Sequence, residues 1–232
     1  MRGEDAGAMR FEVVLFDFDG TLVDTEGMIY SVWADFYRSE GAELALEEYV
    51  QCIGADFDAW SPKTHLEELT GRQYDWEALD PVREEAFRER LEDAGPMLGA
   101  REILESLAES GVPMGVVSAS SHGWVDGWLE KLGMAKYFAH TVCRGDAPRS
   151  KPAPDLYLRA AELMGVEAGW CLVVEDSLNG TQAAKKAGMT VVAVPNRVTA
   201  VSDFSLADAV FSNLEKVLVA LPEIEPCQVT AG

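Results

Sequence analysis

Positive charge is what this chain has least of. Nineteen lysines and arginines stand against forty aspartates and glutamates, leaving a net charge of −21 at pH 7. A surface so acidic repels phosphate backbones and anionic lipid, so neither nucleic acid nor a membrane surface is an expected partner. The four cysteines (Cys52, Cys143, Cys171, Cys227) form no CxxC pair, which argues against a zinc site and a disulfide framework. No stretch approaches about 18 uncharged apolar residues, and residues 1–10 hold no apolar signal segment. The three histidines, His65, His122 and His140, match no nucleophile or metal spacing. A reducing, cytoplasmic setting is expected from these absences.

What is present is an alternation. Short apolar runs recur, and each ends on a polar residue or a proline. Val13-Val14-Leu15-Phe16 ends at Asp17, the run over 112–117 at Ser118, Cys171-Leu172-Val173-Val174 at Glu175, the run over 190–194 at Pro195, and Ala209-Val210-Phe211 at Ser212. Runs of this kind suit strands buried on both faces of a parallel sheet. Between them lie amphipathic helices: Ile103, Leu104 and Leu107 share one face, as do Leu214, Val217, Leu218 and Leu221, and Ala183 to Ala187 forms a third helix closed by Gly188. Strands alternating with helices predict a doubly wound, mostly parallel α/β sheet.

Residues 25–97 break the alternation. They carry no strong strand run and are rich in Glu, Ala, Leu and aromatics, including Trp33, Tyr49, Trp60, Trp76 and Phe87. The expectation is an all-α insertion over 25–97 in a core made of 1–24 and 98–232. Its aromatics are read chiefly as the insertion's own core, with Trp60 or a neighbour named for substrate contact.

Ligands of open α/β sheets bind beyond the carboxyl ends of the strands. Three such ends carry polar groups: Asp17-Phe18-Asp19-Gly20-Thr21, Ser118-Ala119-Ser120 and Glu175-Asp176-Ser177. Four carboxylates at the tips of buried strands raise one another's pKa unless a cation neutralises them. A hard divalent ion with oxygen ligands, Mg²⁺ by preference, meets that need. Any one of these residues alone would be read as a helix cap; together with Lys151 they point to chemistry.

Asp17-Phe18-Asp19-Gly20-Thr21-Leu22 resembles the DxDGTL signature of the haloacid dehalogenase superfamily. Ser118 after its strand, Lys151 within Ser150-Lys151-Pro152-Ala153-Pro154-Asp155, and Glu175-Asp176-Ser177-Leu178-Asn179-Gly180 are similar to that family's three further motifs, in order. The insertion after the first motif resembles the helical cap of the β-phosphoglucomutase-like branch, which includes many small-molecule phosphatases.

The resemblance implies roles. Asp17 is the expected nucleophile. Asp19 is the expected general acid and then base. Ser118 and the amides near Ala119 are expected to donate to the phosphoryl oxygens, and Lys151 is expected to be catalytic, binding the phosphoryl group, supplying positive charge to the transition state and tying down Asp17. Mg²⁺ is expected on Asp17, the main-chain carbonyl of Asp19, and Asp176, with Glu175 direct or through water. Asn179 and Gly180, opening a helix after the acidic pair, are read as structural or as supporting the site residues from behind. The implied activity is hydrolysis of a small phosphate monoester, with a sugar or polyol phosphate preferred. Two rivals are a sugar phosphate mutase and a binding or scaffold protein without catalysis. The mutase pattern has a histidine twelve residues after the nucleophile, where this chain has Ile29; dehalogenation lacks the second acid, present here as Asp19. The cap is expected to close as a lid.

Overall fold

The computed structural model describes residues 10–54, 60–92 and 94–227. Residues 1–9, read above as lacking a signal segment, and 55–59 and 93 of the expected insertion lie outside these. Six parallel strands form one sheet: β1 (Val13–Phe16), β2 (Met114–Val117), β3 (His140–Val142), β4 (Cys171–Glu175), β5 (Thr190–Ala193) and β6 (Ala209–Val210), in the order β3-β2-β1-β4-β5-β6. Phe16 pairs with Val116 on one side and Val174 on the other, so β1 is central. The chain leaves β1 towards β2 on one side and is resumed by β4 on the other. A crevice therefore opens above the carboxyl end of β1, at the switch point of a doubly wound sheet.

The four inner strands, β1, β2, β4 and β5, bury both faces, their side chains alternating in direction. Val14, Phe16, Val116, Leu172 and Val174 pack beneath α5 (Ala100–Glu109), α6 (His122–Lys131) and α9 (Leu214–Ala220). Val13, Leu15, Val117 and Val173 pack beneath α7 (Asp155–Met164) and α8 (Leu178–Lys186). This is the expected architecture.

The strand β3 was not anticipated. His140 and Thr141 are at least partly exposed and only Val142 is buried, so no apolar run marks this edge strand. At the opposite edge, β6 is two residues long, shorter than the run that announced it.

Among the described residues, four helices stand between β1 and α5: α1 (Glu26–Ser39), α2 (Leu46–Tyr49), α3 (Pro62–Thr70) and α4 (Trp76–Leu91). They form the expected all-α cap with an apolar core of its own, Trp33, Tyr37, Leu44, Tyr49, Cys52, Ile53 and Leu66, into which the core domain sends Val198. α1 and α4 are joined by Arg90, which reaches Asp35 at 2.9 Å, and by Arg83, whose guanidinium lies 4.2 Å from the Trp33 ring centroid.

Candidate active site

The carboxyl ends of β1, β2 and β4 bring the expected residues together. Lys151 is buried, and its Nζ donates to Asp17 Oδ1 at 2.5 Å, Glu175 Oε1 at 2.7 Å and the Val117 carbonyl at 2.9 Å. An isolated buried ammonium would be strongly penalised. Here burial works against the charge, but the Asp17 and Glu175 carboxylates more than offset it and hold the Lys151 pKa above its ordinary value.

Asp17, Glu175 and Asp176 are all buried, each offering an oxygen within 4.8 Å of the others. Burial, then the Glu175 charge, pushes the Asp17 carboxyl up to about 8, against the pull of Lys151. Burial, then Asp17 and Glu175, pushes Asp176 well above the carboxylate range. Three carboxylates against one ammonium leave the cluster short of positive charge. A hard divalent cation fits this all-oxygen donor set.

The three carboxylates are not equivalent. Glu175 is already engaged: Oε1 accepts from Lys151 and from the Tyr157 hydroxyl at 2.9 Å, while Oε2 accepts from the Asp176 and Ser177 amides at 3.1 and 3.0 Å and the Ser177 hydroxyl at 2.9 Å. A Cβ on Gly180 would lie 1.7 Å from Glu175 Oε1, so only glycine fits beside this carboxylate. The structural reading of Gly180 gains its cause. Asp176 is held differently, by the Thr21 hydroxyl at 3.2 Å and by Asn196 Nδ2 at 2.6 Å.

Asp19 faces away from this cluster. Its Oδ1 accepts from the Thr25 hydroxyl at 2.7 Å and Trp124 Nε1 at 2.8 Å, and its Oδ2 from the Ser120 hydroxyl at 2.7 Å. Its side chain is outside the three-carboxylate group. Ser118 is buried, accepts from the Ser120 amide at 3.0 Å and, with Ala119, lines the same cavity as Asp17 and Asp19.

That cavity holds about 500 Å³ between core and cap. The cap contributes Glu26, Ile29, Trp33, Tyr49, Arg83 and Phe87 to its wall. Glu26 is partly buried, and its carboxyl is pushed well above the ordinary range by burial and then by Asp19 and Asp17. Trp60 is not in this wall. It is half-buried, and its ring packs 5.2 Å from His65 and 6.4 Å from Tyr49, against the cap's apolar core. His65 meets the Tyr37 hydroxyl at 3.1 Å, and His122 joins Asp126 and Asp146 on the exterior, both outside the cavity wall.

Sequence reasoning missed Thr25, Glu26, Trp124, Tyr157 and Asn196. Tyr157 and Trp124 sit in helical apolar patterns that read as core. Asn196 lies in a Pro195-Asn196 turn that reads as a loop. Their meeting with Glu175, Asp19 and Asp176 depends on contacts 18, 105 and 20 residues apart.

A four-motif crevice under a helical cap defines a class, and comparison with known proteins agrees. Residues 14–194 match the family of haloacid dehalogenase-like hydrolases. This chain belongs to that family, and the expected hydrolase class is met. YhcW of Bacillus subtilis is 35% identical over 210 residues, spanning 90% of this chain and 95% of that protein. Fructose-1-phosphate phosphatase YqaB of Escherichia coli is 31% identical over 185 residues, spanning 80% of this chain and 97% of that protein. The structure of a haloacid dehalogenase family hydrolase from Deinococcus radiodurans, solved with bound phosphate and sodium, superposes with a TM-score of 0.76 at 30% identity, over 93% of this chain and 97% of that one.

Proposed function

We propose that this protein is a Mg²⁺-dependent phosphatase that removes phosphate from a small sugar or polyol phosphate through a phosphoaspartate on Asp17. The observation that carries the reading is the buried Lys151–Asp17–Glu175 ion cluster beside an Asp19 held by three donors, both on one cavity. Lys151 keeps the Asp17 carboxylate in place and presents positive charge where the phosphoryl oxygens gather charge. An Asp17 oxygen attacks phosphorus and the bond to the leaving oxygen breaks, while Asp19 donates its proton to that oxygen. In the second half Asp19 takes a proton from water, which attacks the phosphoaspartate; orthophosphate leaves and Asp17 is restored. Mg²⁺, held by Asp17, the main-chain carbonyl of Asp19 and Asp176, would neutralise the clustered carboxylates and withdraw charge from the phosphoryl group. Glu175 serves this site through Lys151 and the Asp176 amide it accepts from.

Ser118 and the amides near Ala119 are the proposed phosphate donors. The leaving group would occupy the cap side of the cavity, where the Glu26 carboxyl and the Arg83 guanidinium can meet hydroxyls beside the Trp33, Tyr49 and Phe87 rings. The fructose 1-phosphate named for the Escherichia coli relative is of this class. Ile29 lines the cavity and can move no proton, which favours hydrolysis over the mutase reaction. Among the described residues no helix is long and apolar enough to cross a membrane; free cysteines, three of them buried, suit a cytoplasmic setting. The test is purified protein with Mg²⁺ on a panel of phosphate monoesters and β-sugar-1-phosphates, following free phosphate and isomer separately. Isomer without phosphate would overturn the hydrolase reading; release of neither would overturn the catalytic one.

A further inference from the structure

The cap touches the active-site loop at a point that none of the catalytic roles uses. Asn179 is the second residue of α8, three after Asp176. Its Nδ2 donates to the Ile53 carbonyl at 2.8 Å and the Gln51 carbonyl at 3.3 Å, both in the cap. The next cap residue, Gly54, has φ +70° and lies so close that a Cβ there would stand 2.2 Å from Ser177 Oγ. That hydroxyl donates to Glu175 and accepts from the Gly180 amide. Cys52, Ile53 and Gly54, carried by the same loop, line the cavity across from Ser118 and Asp17.

We propose that Asn179 is a latch, a positioning residue whose carboxamide holds the cap loop 50–54 against the β4–α8 loop and thereby sets which leaving groups the cavity accepts. A carboxamide NH₂ has two hydrogens, and two carbonyls are there to take them. Alanine removes both bonds. Aspartate turns acceptor oxygens towards the two carbonyls, while its charge near a helix N-terminus favours α8 itself. The two functions of the position therefore respond oppositely to Asn179→Asp: the helix gains and the latch fails. Gly54→Ala attacks the same contact from the cap side, since its φ is unfavourable for a side chain and its Cβ meets Ser177.

The kinetic half of this proposal rests on the phosphatase reading; the structural half does not. The test uses the full chain and Asn179→Ala, Asn179→Asp and Gly54→Ala. Hydrogen–deuterium exchange of the amides in 50–54 is measured without substrate, and kcat/KM with Mg²⁺ is measured for fructose 1-phosphate and methyl phosphate. All three variants are expected to exchange at least about tenfold faster in 50–54. The fructose 1-phosphate to methyl phosphate ratio is expected to fall about tenfold, chiefly through KM of the larger ester. Wild-type exchange in Asn179→Ala or Asn179→Asp overturns the latch whatever the activities are. Faster exchange with an unchanged ratio overturns its role in selecting substrate. If wild-type protein hydrolyses neither ester, the phosphatase reading fails, and the exchange result alone decides whether Asn179 holds the loop. Should Gly54→Ala not fold, Asn179→Asp still separates helix from latch.

Discussion

Asp17 and Asp19 are two residues apart and differ in every neighbour. Asp17 sits against Lys151 in a buried cluster, while Asp19 turns to Thr25, Ser120 and Trp124. Those neighbours support the proposed division of labour, which can be tested residue by residue. Asp17→Asn keeps the side-chain volume and removes the proposed nucleophile; kcat is expected to fall by about three orders of magnitude or more with the fold intact by circular dichroism. Retention of a tenth of the activity would exclude Asp17 as the covalent group. Asp19→Ala is expected to slow turnover while Mg²⁺ affinity, read by titration calorimetry, stays near wild type, because the main-chain carbonyl survives. Asp176→Ala is expected to do the reverse, raising the Mg²⁺ concentration for half-activity. Trp124→Phe deletes one of the three donors to Asp19 and is expected to lower kcat about tenfold, without moving the Mg²⁺ requirement.

At the scale of elements, the site depends on how β4 hands over to α8. Ser177 caps the helix through the Gly180 amide at 3.0 Å and at the same time binds Glu175, so helix start and charge cluster share one hydroxyl. Ser177→Ala is expected to lose about 1 kcal/mol from the cap alone. Gly180→Ala is the sharper experiment. Its Cβ cannot coexist with the Glu175 carboxylate, so that carboxylate or α8 must shift, at an expected loss of roughly 1–3 kcal/mol by thermal melts. Lys151 loses alignment with it, and kcat should fall as well. An unchanged melting temperature and full activity would show that the crowding is relieved at no cost. Much of this handover was legible: Glu175-Asp176-Ser177 marked the strand end, and the run to Gly188 marked the helix. The reason for Gly180 was not, because a close approach is a distance and a pattern of letters holds none.

Across the whole molecule, the buried carboxylates tie stability to pH. The Asp17 carboxyl ionises near its ordinary 3.8 in the unfolded chain and near about 8 in the fold. Between those values the native state keeps a proton that the unfolded state has lost, so this carboxyl's own contribution to stability is fully present below about 4 and is lost as pH rises through about 8. Asp176, also pushed up, adds to the same slope. Mg²⁺ bound there would compete with those protons, and the melting-temperature gain on adding Mg²⁺ to EDTA-treated protein is expected to grow from pH 5 to pH 8. Asp17→Asn should flatten the metal-free slope over that range, which separates this site from the remaining acidic surface. A gain independent of pH would mean the metal binds elsewhere. At the same scale stands the cap. Replacing 25–97 by a short Gly-Ser linker should leave a core that folds and binds Mg²⁺ but no longer distinguishes esters on the panel; an unchanged profile would place recognition in the core loops.

The chain by itself determined most of the sheet, the helical insertion and the residues proposed for catalysis. Apolar runs ending in carboxylates are written in consecutive residues, and the alternation of strand and helix leaves few ways to stack them. Tertiary structure alone decided the partners of that set: Asn196 on Asp176, Trp124 on Asp19, Tyr157 on Glu175, Asn179 on the cap loop. It also put Trp60 inside the cap and Trp33 on the cavity, although both are tryptophans of one aromatic-rich segment. The physical reason is the range of the forces involved. Periodicity and turn chemistry act between neighbours in sequence, whereas a hydrogen bond or a crowded glycine is set by side chains that meet only after the sheet has closed and the cap has settled on it.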